Sequence, residues 1–273
     1  MVYSKSVSVR SRHNMECYST HKSDRKGITP VDQNKLDEIH TAQESLERGA
    51  DETFRKPFGR HWSSTYWTKW ATITAAIHSL GIPDTARILD IGVGTGWTTL
   101  FLAEAGYDAL GVTLAPAAVQ IASNRAAKWS STARFEVGDM EELTFDGEFD
   151  FVLVFDALHH STRQAQVVKR IARALKPGAW VLFGEPSVLH TISPRARRTH
   201  NEAGWVERGI AVRVLKRDCS LAGFTQFRRF FEGTSPYELR TSAFAYQLTR
   251  LIAANIAFAP QSSIWLAARK SPG

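Results

Sequence analysis

Four residues at alternate positions open the chemistry of this chain: Asp90, Gly92, Gly94 and Gly96, in the run Arg87-Ile-Leu-Asp-Ile-Gly-Val-Gly-Thr-Gly96. Glycine lacks a Cβ and tolerates positive φ, so a loop built from it can press its backbone against a ligand. A helix expected from about Thr98 adds unpaired N–H groups and a partial positive charge at its start. Together these suit a nucleotide-like ligand. A second set follows an apolar run at 149–155: Asp156, then His159 and His160 in tandem. An imidazole titrates near neutrality and suits proton transfer.

Those residues need strands to hold them. Arg87–Ile91 reads as a short apolar strand with one carboxylate near its tip. Leu110–Thr113 reads as a second strand, after a helix over roughly 98–105. A third is Arg134–Asp139, followed by Met140, and a fourth is Phe149–Phe155. Val167–Leu175 has apolar residues at helical spacing and is stopped by Lys176-Pro-Gly178, since proline cannot continue a helix and glycine accepts a left-handed turn. Ala179–Phe183 is a fifth strand, ending in Gly184-Glu185-Pro186. Strands alternating with helices imply a parallel sheet covered on both faces. Ligands of such sheets bind beyond the carboxyl ends of the strands, where every residue singled out above falls.

The frame Asp90-x-Gly92-x-Gly94-x-Gly96 differs from the dinucleotide fingerprint Gly-x-Gly-x-x-Gly. It resembles motif I of the class I methyltransferases that use S-adenosylmethionine (SAM), and the likeness extends over roughly residues 60–270. The Lys176-Pro-Gly178 turn resembles that family too. So does the closing Ser262–Lys270, which looks like a last antiparallel strand paired with Gly223–Phe231. The resemblance implies a Rossmann-like α/β fold: a seven-stranded sheet, parallel with a final antiparallel strand, with helices on both faces.

The resemblance also assigns residues. Asp90, Gly92, Gly94 and Gly96 would surround the methionine tail and ribose, with Asp90 also available to brace the loop. Thr113 ends the second strand, where the family commonly has an acid that pairs with both ribose hydroxyls. A charged hydrogen bond is worth roughly twice a neutral one, so ribose anchoring is expected to be weaker unless Gln120 or water contributes. Asp139 and Met140 resemble the adenine contacts, although Asp139 also suits a helix N-cap. Asp156 follows the fourth strand, on the cofactor side. The Leu-His-His run resembles small-molecule O-methyltransferases, including ones acting on sugars. In those a histidine takes the proton of the attacking hydroxyl, sometimes with a carboxylate after strand five. His160 is favoured as that base, with His159 beside the cofactor. Glu185 would orient the base or bind a substrate hydroxyl.

Length and charge set the bounds. The 273 residues suit one catalytic domain with additions. The expected divisions are a disordered basic arm over 1–28, a helical cap or lid over 29–80, a SAM-binding core over 81–186, a continuation with substrate-side insertions over 187–259, and a last strand and tail over 260–273. A helix over 31–50 would carry Leu36, Ile39 and Leu46 on one face. In a helix before residue 80, Trp67, Trp70, Ile77 and Leu80 form a stripe, of which Trp70, Ile77 and Leu80 are expected to pack on the sheet. Arg60, His61 and Tyr66 are lid candidates. Cys17 and Cys219, the only cysteines, suggest neither a disulfide framework nor a zinc site and fit a cytoplasmic location. No metal and no transmembrane segment are expected.

The net charge of +7 sits mainly in residues 1–28 and 190–217. These are read as a solvated face or arm, or as a contact for an acidic substrate or nucleic acid. A nucleic acid acceptor is not expected: adenine methylation would want an Asn/Asp-Pro-Pro-aromatic turn where Asp156-Ala-Leu-His159 stands. The expected reaction is transfer of a methyl group from SAM to a hydroxyl of a small metabolite or glycan. The alternatives are an RNA methyltransferase using the basic segments, or a lipid or fatty-acyl methyltransferase of the cyclopropane-synthase-like branch, toward which Thr113 leans.

Overall fold

Seven strands form one sheet in the order β3-β2-β1-β4-β5-β7-β6. The computed structural model describes residues 30–47, 56–58, 63–193, 196–197, 201, 208–230, 232 and 263–273. The basic arm, the lid candidates Arg60 and His61, the insertion at 233–259 and part of the basic segment 190–217 lie outside the described residues. In chain order the elements are α1 (Pro30–Glu47), α2 (Ser63–Leu80), β1 (Arg87–Ile91), α3 (Trp97–Glu104), β2 (Asp108–Thr113), α4 (Pro116–Trp129), β3 (Arg134–Val137) and β4 (Phe149–Phe155). They continue with α5 (Gln164–Ala174), β5 (Leu175–Pro186), α6 (Val212–Leu221), β6 (Phe224–Phe230) and β7 (Ser263–Lys270). β7 runs antiparallel to both its neighbours, β5 and β6, and the other strand pairs are parallel. This is the class I methyltransferase arrangement expected from the sequence.

Strand side chains alternate between two faces, and the apolar residues divide accordingly. Leu89, Val152, Val154, Val181 and Leu266 pack with α5 and α6 on one side. Ile88, Phe151, Leu153, Leu182 and Ala267 pack with α2 and α3 on the other. Strands buried on both faces read as continuous apolar runs, as Phe149–Phe155 does. The order of connection reverses between β1 and β4, which are hydrogen-bonded neighbours. Two loops therefore diverge there and leave a crevice at the carboxyl ends of the strands.

Three local expectations change. Leu36 is 42% exposed; α1 instead turns Lys35 inward, because two acidic groups wait for it there. Trp67 is 43% exposed, and the buried face of α2 is Tyr66, Ile73, Ala76, Ile77 and Leu80. Trp67 sits one position off that stripe and joins an outer aromatic cluster, 5.8 Å from both Phe58 and Phe101 between ring centroids. α5 ends at Ala174, and Lys176-Pro-Gly178 lies within β5, which begins at Leu175 and not at Ala179. The chain then enters β5 through an irregularity: Phe149 pairs with Leu175, yet Phe151 pairs with Trp180.

Candidate active site

The loop after β1 is shaped by steric necessity at two of its three glycines. A Cβ on Gly92 would lie 2.3 Å from that of Ala157, and one on Gly96 would lie 2.6 Å from both Ala122 and the Phe135 ring. These two glycines let the loop close against its neighbours. Gly94 differs: its φ is +51°, and a Cβ there would meet nothing within 4 Å. Its backbone faces open space, as a ligand cradle requires. The Gly92 and Val93 N–H groups both donate to Val112 O, which joins the loop to β2.

Asp90 is buried at 1% exposure. Its Oδ2 accepts from Thr98 Oγ1 at 2.6 Å and Thr99 Oγ1 at 2.7 Å. The carboxylate therefore braces the first turn of α3. Burial pushes its carboxyl up to about 7, against the lowering effect of the two hydroxyls. Thr113 ends β2 and is buried. Gln120 does not join it: this residue is exposed on α4, and its amide donates to Asn124 Oδ1 at 3.0 Å. Asp108, at the opposite end of β2, pairs with Arg134.

Asp139 follows β3. Its Oδ1 accepts the Glu141 N–H at 2.8 Å, an Asx-type turn, while its Oδ2 receives Lys35 Nζ at 2.5 Å. Met140 comes within 3.8 Å of where a Gly92 Cβ would stand, so it lines the glycine loop.

β4 delivers the second half of the site. Asp156 takes φ +54°, a left-handed conformation that Asp tolerates better than most side chains. Burial works to raise its carboxyl, but the charges of Lys69, His159, Lys56 and His160 outweigh that and hold it well below the usual carboxylate range. Lys69 Nζ lies 5.3 Å over the Phe155 ring and 5.9 Å over that of Tyr66, and Lys56 Nζ lies 5.2 Å over Tyr66. Tyr66, expected in a lid, is 3% exposed and packs edge-on to Trp97 with centroids 5.5 Å apart.

The turn Leu158–His160 is held by Glu185 from the end of β5. Glu185 Oε1 accepts from the Ala157 N–H at 3.0 Å and the Leu158 N–H at 2.9 Å. Its Oε2 accepts from the His159 N–H at 3.3 Å and meets His159 Nδ1 at 2.8 Å. Three converging N–H donors make Glu185 an acceptor, so Nδ1 carries the ring proton. The carboxylate thus reaches His159, not His160. The His160 ring lies 4.0 Å from that of His159, and His190, from the turn Val188–Ile192, lies 5.7 Å from it.

Several of these neighbours were not singled out from the sequence. Lys35, Lys56, Lys69 and Glu141 sit on elements without motif signatures. Arg125 is another: its guanidinium donates to Thr95 O at 3.0 Å and to Lys56 O at 2.7 Å, tying the glycine loop to the 56–58 turn. One signal was available for Arg125, a charge set among the alanines of α4.

The doubly wound sheet carries a glycine loop at its switch point, an acid after β3 and a histidine pair after β4. Residues 88–178 match the model of a methyltransferase domain, and the sheet around them has the arrangement of the class I, SAM-dependent methyltransferases. The chain is 32% identical over 99 residues to the ubiquinone biosynthesis O-methyltransferase of Bordetella avium, covering 36% of this chain and 41% of that one. It is 35% identical over 104 residues to the 27-O-demethylrifamycin SV methyltransferase of Amycolatopsis mediterranei, covering 36% and 38% respectively. The chain therefore spans less than half the length of these curated relatives. The phosphoethanolamine N-methyltransferase 2 of Haemonchus contortus, solved with SAM, shares the fold at a TM-score of 0.61 and 20% identity, over 89% of this chain and 60% of that one.

The residues present fit SAM. Open backbone at Gly94 suits its close approach. The anionic Asp156 beside the ammonium groups of Lys69 and Lys56 offers both charges that an amino-acid zwitterion needs. Asp139 and Met140 offer an acceptor and an apolar wall for a purine.

Proposed function

We propose that this chain transfers a methyl group from SAM to a hydroxyl of a small metabolite or glycan, with the histidine pair as the base. The observation that carries this is the Glu185–His159 contact at 2.8 Å, at the active end of β4. When bound, SAM supplies an electrophilic methyl group on a sulfonium. Asp139 and Met140 hold the adenine, Thr113 one ribose oxygen, and Gly92, Gly94 and Gly96 the ribose and methionine tail. Asp90 keeps the loop in shape through α3. Asp156, with Lys69 and Lys56, receives the zwitterion.

On the acceptor side, Glu185 fixes the His159 tautomer, and Nε2 takes the hydroxyl proton. His160, half-buried and tilted against it by 39°, lines the place where the acceptor oxygen arrives. Positioning accounts for most of the acceleration, on the order of 7–11 kcal/mol, and the base adds roughly 10²–10⁴-fold. A hydroxyl acceptor agrees with the names of the ubiquinone and rifamycin relatives, both of which specify oxygen. It also agrees with the chemistry, because an alcohol must lose a proton as it is methylated.

The test is transfer of isotopically labelled methyl from SAM into a metabolite extract, with products located by mass spectrometry. His159→Asn is expected to lower turnover about 10²–10⁴-fold while SAM affinity holds within about twofold. His160→Asn is expected to lose less. Equal activity of wild type and both variants would refute the assignment of the base.

A further inference from the structure

Lys35 is drawn from α1 across the molecule to the acids after β3. Its Nζ lies 2.5 Å from Asp139 Oδ2 and 2.8 Å from Glu141 Oε2. Lys35 keeps 22% of its side chain exposed, and Glu141 keeps 3%. Glu141 is in turn anchored by the Ser161 hydroxyl at 2.7 Å, so the lysine joins a network that reaches the turn carrying the histidines. Burial works against the Lys35 charge, but Asp139 and Glu141 outweigh it and raise its pKa.

The effect on Asp139 is geometric. One oxygen is pinned by the Glu141 N–H and the other by Lys35. With both ends tied, the carboxylate plane is fixed. Each oxygen of an ionised carboxylate has two acceptor positions, so one position remains on each for a further donor. A carboxylate held in this way accepts an exocyclic amine and repels a carbonyl oxygen at the same place. α1 also brings Glu38, one turn after Lys35, into the same cleft. Its carboxyl is pushed up to about 7, first by burial and then by Asp139, with His159 opposing.

We propose that Lys35 is a positioning residue for base recognition: from α1 it fixes Asp139 in the orientation that selects a 6-amino purine over a 6-oxo purine. This rests on Asp139 being the adenine contact. Nothing in the glycine motif requires it, and the lysine lies more than a hundred residues from its partner.

The experiment measures Kd by titration calorimetry for S-adenosylhomocysteine and for S-inosylhomocysteine, whose purine carries oxygen in place of the amine. Wild type, Lys35→Met, Lys35→Arg and Asp139→Asn are compared, with thermal melts run in parallel. Lys35→Met is expected to weaken the adenosyl ligand about tenfold, the scale of one charge-assisted hydrogen bond. Its effect on the inosyl ligand should stay within about twofold, so that discrimination between the two collapses. Lys35→Arg should restore most of the discrimination. An equal loss for both ligands would overturn the proposal, since it would mean only that α1 had loosened. No loss, or tighter adenosyl binding, would overturn it too, the latter because Lys35 would then compete with the purine. If Asp139→Asn leaves adenosyl binding unchanged, it is the adenine contact itself that fails.

Discussion

A side chain on Gly94 would project into open space, whereas one on Gly96 would collide with Ala122 and Phe135. The same substitution should therefore fail in two different ways. Gly94→Ala is expected to cost about 1–2 kcal/mol for placing a Cβ in the left-handed region and to weaken SAM binding at least tenfold. Gly96→Ala adds a steric conflict of about 1–3 kcal/mol and should show first as a lower urea midpoint. Calorimetry and denaturation on the two variants separate these effects. Asp90 makes a pH prediction. Its folded-state pKa, about 7, lies above the ordinary 3.8. Between those values the folded chain holds more protons at this site than the unfolded chain, so its contribution to stability declines as pH rises from about 4 to about 7. Asp90→Asn removes that titration. The stability of the variant relative to wild type should rise across the same interval when urea midpoints are compared.

At the scale of elements, the turn Leu158–His160 depends on β5 as much as on β4. Glu185 accepts from the Ala157, Leu158 and His159 N–H groups besides meeting the His159 ring. Glu185→Ala strips a buried, hydrogen-bonded charge site, and about 3–5 kcal/mol of stability should go with it, read as a fall in thermal midpoint. For that reason the base is better tested at the histidines. The elements themselves were legible because they follow local rules: β4 spans Phe149–Phe155, where the apolar run stands, and α5 stops before the proline at 177. The loop residues Asp90 to Gly96 and the pairing of Glu185 with the histidine turn were legible through motif order. Which histidine the carboxylate meets was not, because neighbours in sequence differ only by a rotation of the turn. Lys35, Lys56 and Lys69 were hidden for another reason. A lysine in an ordinary helix or turn reads as solvated, and only tertiary packing brings these three to Asp139 and Asp156.

Over the whole molecule, the sheet sets two charge environments about the crevice between β1 and β4. On the β3 side, Asp139 and Glu141 are met by Lys35. On the β4 side, Asp156 lies in the field of Lys69 and Lys56. The glycine loop lies between them. α1 and α2, which come before the Rossmann-like core in the chain, supply Lys35 and Lys69, so the site is completed by helices outside residues 88–178 that the family model matches. No described helix is long and apolar enough to cross a membrane. All of this turns on one event, the seating of an adenosyl sulfonium at the tip of β1. Titration calorimetry of the purified chain with SAM and with S-adenosylhomocysteine tests it most directly. Saturable one-to-one binding of both ligands, weakened at least tenfold in Gly94→Ala, is the predicted result. A folded protein that takes up neither ligand saturably would contradict it.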